Sequence, residues 1–65
     1  MKKVVQYSKS IYSYPLILEA IAAYKHICNL KVNKDDEYII CTFETARDAT
    51  TIAREFGNYL IELMQ

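Results

Sequence analysis

A chain of 65 residues is one domain, residues 1–65, and a domain of that size buries only about 60% of the surface its unfolded chain exposes. Apolar residues make up 52% of it, with a single glycine and a single proline, which excludes a disordered chain. Eight basic residues balance eight acidic ones along the chain, so no long-range field exists to draw in nucleic acid or anionic lipid, and neither is expected as a partner. "VVQYSKS", after the opening "MKK", lacks the apolar run of a secretory signal, and no stretch approaches the ~20 apolar residues that cross a bilayer. The expectation is a cytoplasmic protein without a membrane partner.

The first element, "KVVQYSKSIYS", is β-branched and aromatic and reads as a strand. Val5, Tyr7 and Ile11 form its better inward set, with Lys9 as the misfit. "YPLILEAIAAYKHI" then reads as a helix starting at Pro15, because proline suits a first turn and holds Tyr14 extended. At 100° per residue Ile17, Ala20, Ile21, Tyr24 and Ile27 make its central apolar stripe, widened by Leu16, Leu18 and Ala23. Glu19, Ala22, Lys25 and His26 are left for water.

Residues 28 to 43, "CNLKVNKDDEYIICTF", hold two alternating segments around the polar turn 34 to 37, the pattern of a β-hairpin. With Asp35-Asp36 at the tip, Val32 pairs with Ile39, Leu30 with Cys41 and Cys28 with Phe43, all on one face. The other face holds Asn29, Lys31 and Asn33 but also Tyr38 and Ile40, so it is half apolar. The last helix begins at "TARD", where Thr45 and Asp48 have the spacing of a capping box. Ala49, Ile52, Ala53, Phe56, Tyr59, Leu60 and Leu63 follow on one arc. Gly57 lies beside that arc, in line with Thr50, Ile61 and Met64.

The order β-α-β-β-α predicts an α+β fold, a three-stranded antiparallel sheet with two helices on one face. Strand 3 sits between strands 1 and 2. This is a ferredoxin-like half-fold without its fourth strand, and it leaves one edge of strand 1 open to a partner strand.

Chemistry-bearing constellations are sparse. One histidine and two cysteines offer no nucleophile with a base and no metal set, so no catalytic, cofactor-binding or metal residue is expected. His26 reads as a solvated residue at a helix end. Cys28 and Cys41 are predicted to be diagonal neighbours at roughly 7 to 8 Å, beyond disulfide reach, and to stay buried thiols. A zinc site would need two further ligands. Asp35, Asp36 and Glu37 read as a solvated turn, since calcium requires six or more converging oxygens. Six tyrosines supply large amphipathic contact area, which favours a protein interface over base stacking where no basic groove exists, while Tyr24 and Tyr59 also fit the core.

"SIYS" (10 to 13), "AIAAYKH" (20 to 26), the hairpin and the terminal "FGNYLIE" (56 to 62) together resemble the small D component of His-Xaa-Ser peptide systems. Those proteins look like a short strand, a helix with an Ala-Ala-Tyr element, a hairpin and a final helix with a Leu-Leu-Asn-Asp-Tyr-x-Leu-Arg-Glu motif. Phe56, Asn58, Tyr59 and Ile61 fall on similar residue types in that motif, whereas Gly57, Glu62 and Leu63 depart from it. The resemblance implies a non-catalytic accessory that works beside radical S-adenosylmethionine enzymes on a ribosomally made peptide. The iron-sulfur chemistry would be the partner's, because this chain lacks a three-cysteine cluster signature.

Sequence reasoning therefore leads to a small interaction module, not an enzyme, without a cofactor. Small domains commonly recruit a second subunit, and a homodimer is expected here. Tyr38, Ile40, Gly57, Asn58, Ile61 and Met64 are its candidate interface residues. The alternative is a small-ligand-binding or enzymatic domain on the same half-fold, with a pocket lined by tyrosines and His26.

Overall fold

A computed structural model describes residues 1–65. β1 (Lys2–Ser8), α1 (Tyr14–Tyr24), β2 (Asn29–Lys34), β3 (Tyr38–Glu44) and α2 (Ala49–Leu63) follow in the predicted order. The sheet order is β1-β3-β2 and both pairings are antiparallel. This is the α+β half-fold read from the sequence.

Alternation decides the inner face of the sheet. Val5 and Tyr7 of β1, Leu30 and Val32 of β2, and Ile39, Cys41 and Phe43 of β3 point to one side, where Ile17 and Ala20 of α1 and Ala53, Phe56 and Leu60 of α2 close over them. The other side carries Val4, Gln6, Tyr38, Ile40 and Thr42 and has no helix over it. All seven residues of the predicted α2 arc are buried or half-buried. At its centre the fully buried Phe56 ring lies 5.1 Å from Phe43, 5.5 Å from Tyr24 and 6.1 Å from Tyr7, centroid to centroid. One side chain thus ties α2 to β3, α1 and β1 together.

Several expectations are corrected. β1 ends at Ser8, because the Ser8 carbonyl accepts from the amides of Ile11 (3.1 Å) and Tyr12 (2.9 Å) and turns the chain. Lys9 therefore stops being a misfit, and Ile11 is 64% exposed in that turn while Tyr12 takes the inward place, edge-on to Tyr7 at 5.1 Å. α1 is capped by Ser13, whose hydroxyl accepts from the Leu16 amide at 3.3 Å, and it stops at Tyr24. Ile27 consequently falls past the helix and is exposed, as is Leu18 on the water side of α1.

The hairpin register is two residues from the predicted one: Val32 faces Cys41, Leu30 faces Phe43 and Lys34 faces Ile39. Asp35 sets it. Its Oδ1 accepts from the amides of Glu37 (2.8 Å) and Tyr38 (2.7 Å), and its own amide donates to the Tyr38 carbonyl, so Asp36-Glu37 forms the tip. No residue has a positive φ, so the turn is not of the primed type and the Asp35 side chain stands in for its geometry. An even slip preserves the face, which is why the buried set survives.

The start of α2 is also corrected. Thr45 accepts from the Arg47 amide in the preceding turn, and the N-cap is Asp48. Its carboxylate accepts from the Thr51 hydroxyl at 2.7 Å and from the Thr50 and Thr51 amides at 3.0 and 3.3 Å. Three residues of predicted helix are loop because Asp48 offers a stronger acceptor directly before the apolar arc.

Two outcomes follow. Phe56→Ala should lose about 3 to 5 kcal/mol of stability, a large share of what a domain of this size holds, and chemical denaturation followed by circular dichroism measures it. A loss under about 1 kcal/mol would show that the ring does not organise the core. The second concerns pH. Hydrogen bonds from Thr51 and Thr50, with Arg54 nearby, hold Asp48 below the usual carboxylate range. A depressed folded pKa gives stability that is present above the unfolded value, near 4, and lost as pH falls through the folded value. The thermal midpoint should thus drop below about pH 4, less steeply in Asp48→Asn, which keeps the cap, while Asp48→Ala is lower already at pH 7.

Candidate docking surface

The predicted interface residues fall into two groups. Tyr38 and Ile40 lie on the outer sheet face, opposite Ser8 and Gln6 of β1. Gly57, Asn58, Ile61 and Met64 lie on α2, which covers the inner face. The sheet separates the two groups, so they do not make one patch.

The α2 group gains meaning from where the helices sit. α2 packs on β1, β3 and α1. The Lys34 ammonium of β2 lies 4.3 Å from the centre of the Tyr14 ring, which places α1 over the β2 side. Tyr59 meets Tyr24 of α1 at 5.7 Å, so the Ile52, Tyr59 and Leu63 side of α2 faces its neighbouring helix. At 100° per residue, Thr50, Gly57, Ile61 and Met64 lie on the opposite flank. That flank looks out past β1.

Below it is the open edge of β1. At one end Met1 and Thr45 exchange both backbone hydrogen bonds, and at the other the Lys9 amide donates to the Glu37 carbonyl at 2.9 Å. Odd-numbered residues therefore bond to β3, and alternation turns the amides of Lys2, Val4, Gln6 and Ser8 toward the open side. The carbonyls of Lys2, Val4 and Gln6 point the same way, whereas that of Ser8 is used by its turn. Edge and flank lie on the same side of the domain and together form a ledge. Ile61 is 49% and Met64 44% exposed along it, and a Cβ added at Gly57 would meet nothing within 4 Å. Close packing of Gly57 against α1 is thereby ruled out.

The chemistry-bearing residues stay apart. Cys28 and Cys41 are free and buried as expected, though not as diagonal neighbours: the register puts Cys41 opposite Val32, four residues along β2 from Cys28, roughly 13 Å at about 3.3 Å per residue. Burial pushes the Cys41 thiol up to about 11 and raises that of Cys28. Both shifts disfavour the thiolate, the nucleophilic form. His26 is exposed in the turn after α1, and no three of His, Cys, Asp and Glu converge as a metal set would. The concavity at the hairpin tip is lined by Asp35, Asp36, Glu37 and Tyr38. Asp35 is committed there to two backbone amides, which hold its carboxylate below the usual range.

Five of the six tyrosines pack into or against the core, and only Tyr38 is exposed. Burial raises the hydroxyl pKa of Tyr7 and, with Glu55, Tyr59 and Glu62 adding charge, that of Tyr24. The tyrosine excess is therefore mostly internal. Sequence reasoning missed Val4 and Gln6, because their part is played by backbone groups whose direction depends on strand pairing.

Comparison with models of known protein families, with curated proteins and with solved structures finds no match for this chain. No helix is long and apolar enough to cross a membrane.

Gly57→Ala tests whether the space beside α2 is free within the domain. Alanine should stabilise the helix by about 0.4 to 1 kcal/mol, read from the denaturation midpoint. A destabilised variant would mean that the glycine is needed for packing inside the chain.

Proposed function

We propose that this chain is a small non-catalytic interaction module which docks a protein or peptide partner on the ledge between the β1 edge and the α2 flank. One observation carries the reading: the unpaired backbone groups of Lys2, Val4 and Gln6 lie beneath an exposed apolar flank on the side where a fourth strand would complete the sheet. Backbone pairing supplies affinity in such an arrangement, and side chains under the helix supply selectivity. The chain exposes 4346 Å², and a compact monomer of 7.6 kDa is expected to expose about 4,300 Å². The chain closes on itself.

A role beside radical S-adenosylmethionine enzymes in ribosomal peptide modification is the form this function takes if the motif resemblance holds. The partner is then such an enzyme or its peptide. The ligand-binding or enzymatic alternative has no observation in its favour, since His26 lines no pocket with the tyrosines.

Val4→Pro separates docking on the edge from docking elsewhere. The Val4 amide faces outward, so proline removes a docking donor without breaking a bond to β3. Affinity capture from the native host should retain a partner with the wild-type chain and lose it with a folded Val4→Pro chain. Equal capture by both would place docking on another surface.

A further inference from the structure

Resting on that reading, we infer that the occupant of the ledge is one extended segment of another protein, which takes the place of a fourth strand antiparallel to β1, with apolar side chains under α2 and no requirement for charge. Connectivity sets the direction. The Thr45 backbone bonds to Met1, and only residues 45 to 48 separate β3 from α2, so α2 starts at the Lys2 end of β1 and runs back toward the Ser8 end. Its fifteen residues span about 22 Å at 1.5 Å per residue, and the seven of β1 span about 23 Å at 3.3 Å per residue. The last turn of α2, with Met64, therefore stands at the Ser8 end. A strand that followed β3 and α2 by a right-handed crossover would enter the open edge at that point and run against β1. Both pairings already in the sheet are antiparallel, so the same direction completes it in kind.

Alternation then assigns the side chains. Residues directly opposite one another in an antiparallel pair share a face. Occupant residues opposite Lys3, Val5 and Tyr7 turn to the inner side, toward Ile61, Met64 and the space at Gly57, where apolar side chains leave water. Those opposite Lys2, Val4, Gln6 and Ser8 lie on the outer face, beside the exposed Val4. Charge adds little selection there. Lys2 lies opposite Glu44 in the register. Lys9 adds its charge to the Tyr38 and Glu37 amides that hold the Asp35 carboxylate low, and Arg54 adds its own to the Thr51 and Thr50 hydrogen bonds that hold Asp48 low. Lys3 faces Phe43, and a single lysine is too little to select a charged strand.

A second copy of this chain fits the place poorly. Its β1 would turn Lys3, Val5 and Tyr7 to the inner side, and Tyr7 is already buried in its own core. Only Val5 would be left to meet Ile61, Met64 and the space at Gly57, so the expected homodimer does not form through this edge.

The probe is the full chain extended after Gln65 by a four-residue Gly-Ser linker and the strand Thr-Val-Thr-Val-Thr-Val-Thr. Tethering supplies an effective concentration of about millimolar order. A linker that short spans at most about 14 Å, enough for the Ser8 end of the edge but not for the Lys2 end. Companion strands carry serine in place of the valines, or glutamate or lysine in place of the two central threonines. Relative to the unextended chain, the Val-Thr strand should slow amide exchange of Val4, Gln6 and Ser8 by about tenfold or more, and the serine strand should not. The glutamate and lysine strands should match each other within about threefold. Equal protection by the serine strand, a difference of about tenfold or more between the glutamate and lysine strands, protection only with a linker long enough to reach the Lys2 end, or a dimer of the unextended chain in sedimentation would overturn the inference. If no strand protects the edge while Val4→Pro still abolishes capture of the native partner, the ledge remains the docking site and the fourth-strand occupant falls. If Val4→Pro leaves that capture intact, the docking reading itself falls.

Discussion

The packing of one ring, Phe56, is the constraint on which the rest of this small structure depends. Only 11 of 65 residues are buried, so few contacts are available to set how the elements meet. Phe56 touches an aromatic residue of β1, of β3 and of α1 at once, each pair adding about 0.5 to 1.5 kcal/mol beyond its buried area. Those three contacts fix the rotation of α2 about its own axis. With the rotation fixed, the Tyr59 side must face α1, and the side bearing Gly57 and Ile61 must face away.

From that rotation the functional reading follows. In a sheet ordered β1-β3-β2, β1 has one neighbour, and its even-numbered amides look outward because Met1 and Lys9 bond inward. The free side of α2 overhangs those amides. Lysines at a sheet edge ordinarily guard against pairing with another copy.

Much of this was legible in the residues. The arc from Ala49 to Leu63 and the alternation around the hairpin identified nearly every core position, because burial follows helix and strand period directly. What failed were end points and register, which depend on polar groups competing for backbone partners: Ser8 ended β1, Ser13 capped α1, Asp35 moved the hairpin by two residues, and Asp48 displaced Thr45 as the cap. Ile11 and Ile27 were misplaced for the same reason, since each lies past an element end that such a competition decides, whereas Leu18 is exposed on the water side of α1. The candidate site was half legible. Gly57, Ile61 and Met64 stood out as a second stripe on α2, but the β1 amides beneath them belong to strand pairing and left no mark in residue type. Tyr38 and Ile40 form an apolar pair on the outer sheet face, across the sheet from α2.

The central claim, that β1 offers an unpaired edge beneath α2, is tested most directly by residue-resolved amide hydrogen exchange on the free chain. Val4, Gln6 and Ser8 should exchange fast, while Val5 and Tyr7 between them stay protected by β3. If Val4 and Gln6 are protected as strongly as Val5 and Tyr7, the edge is already paired in solution and the ledge is not a docking site.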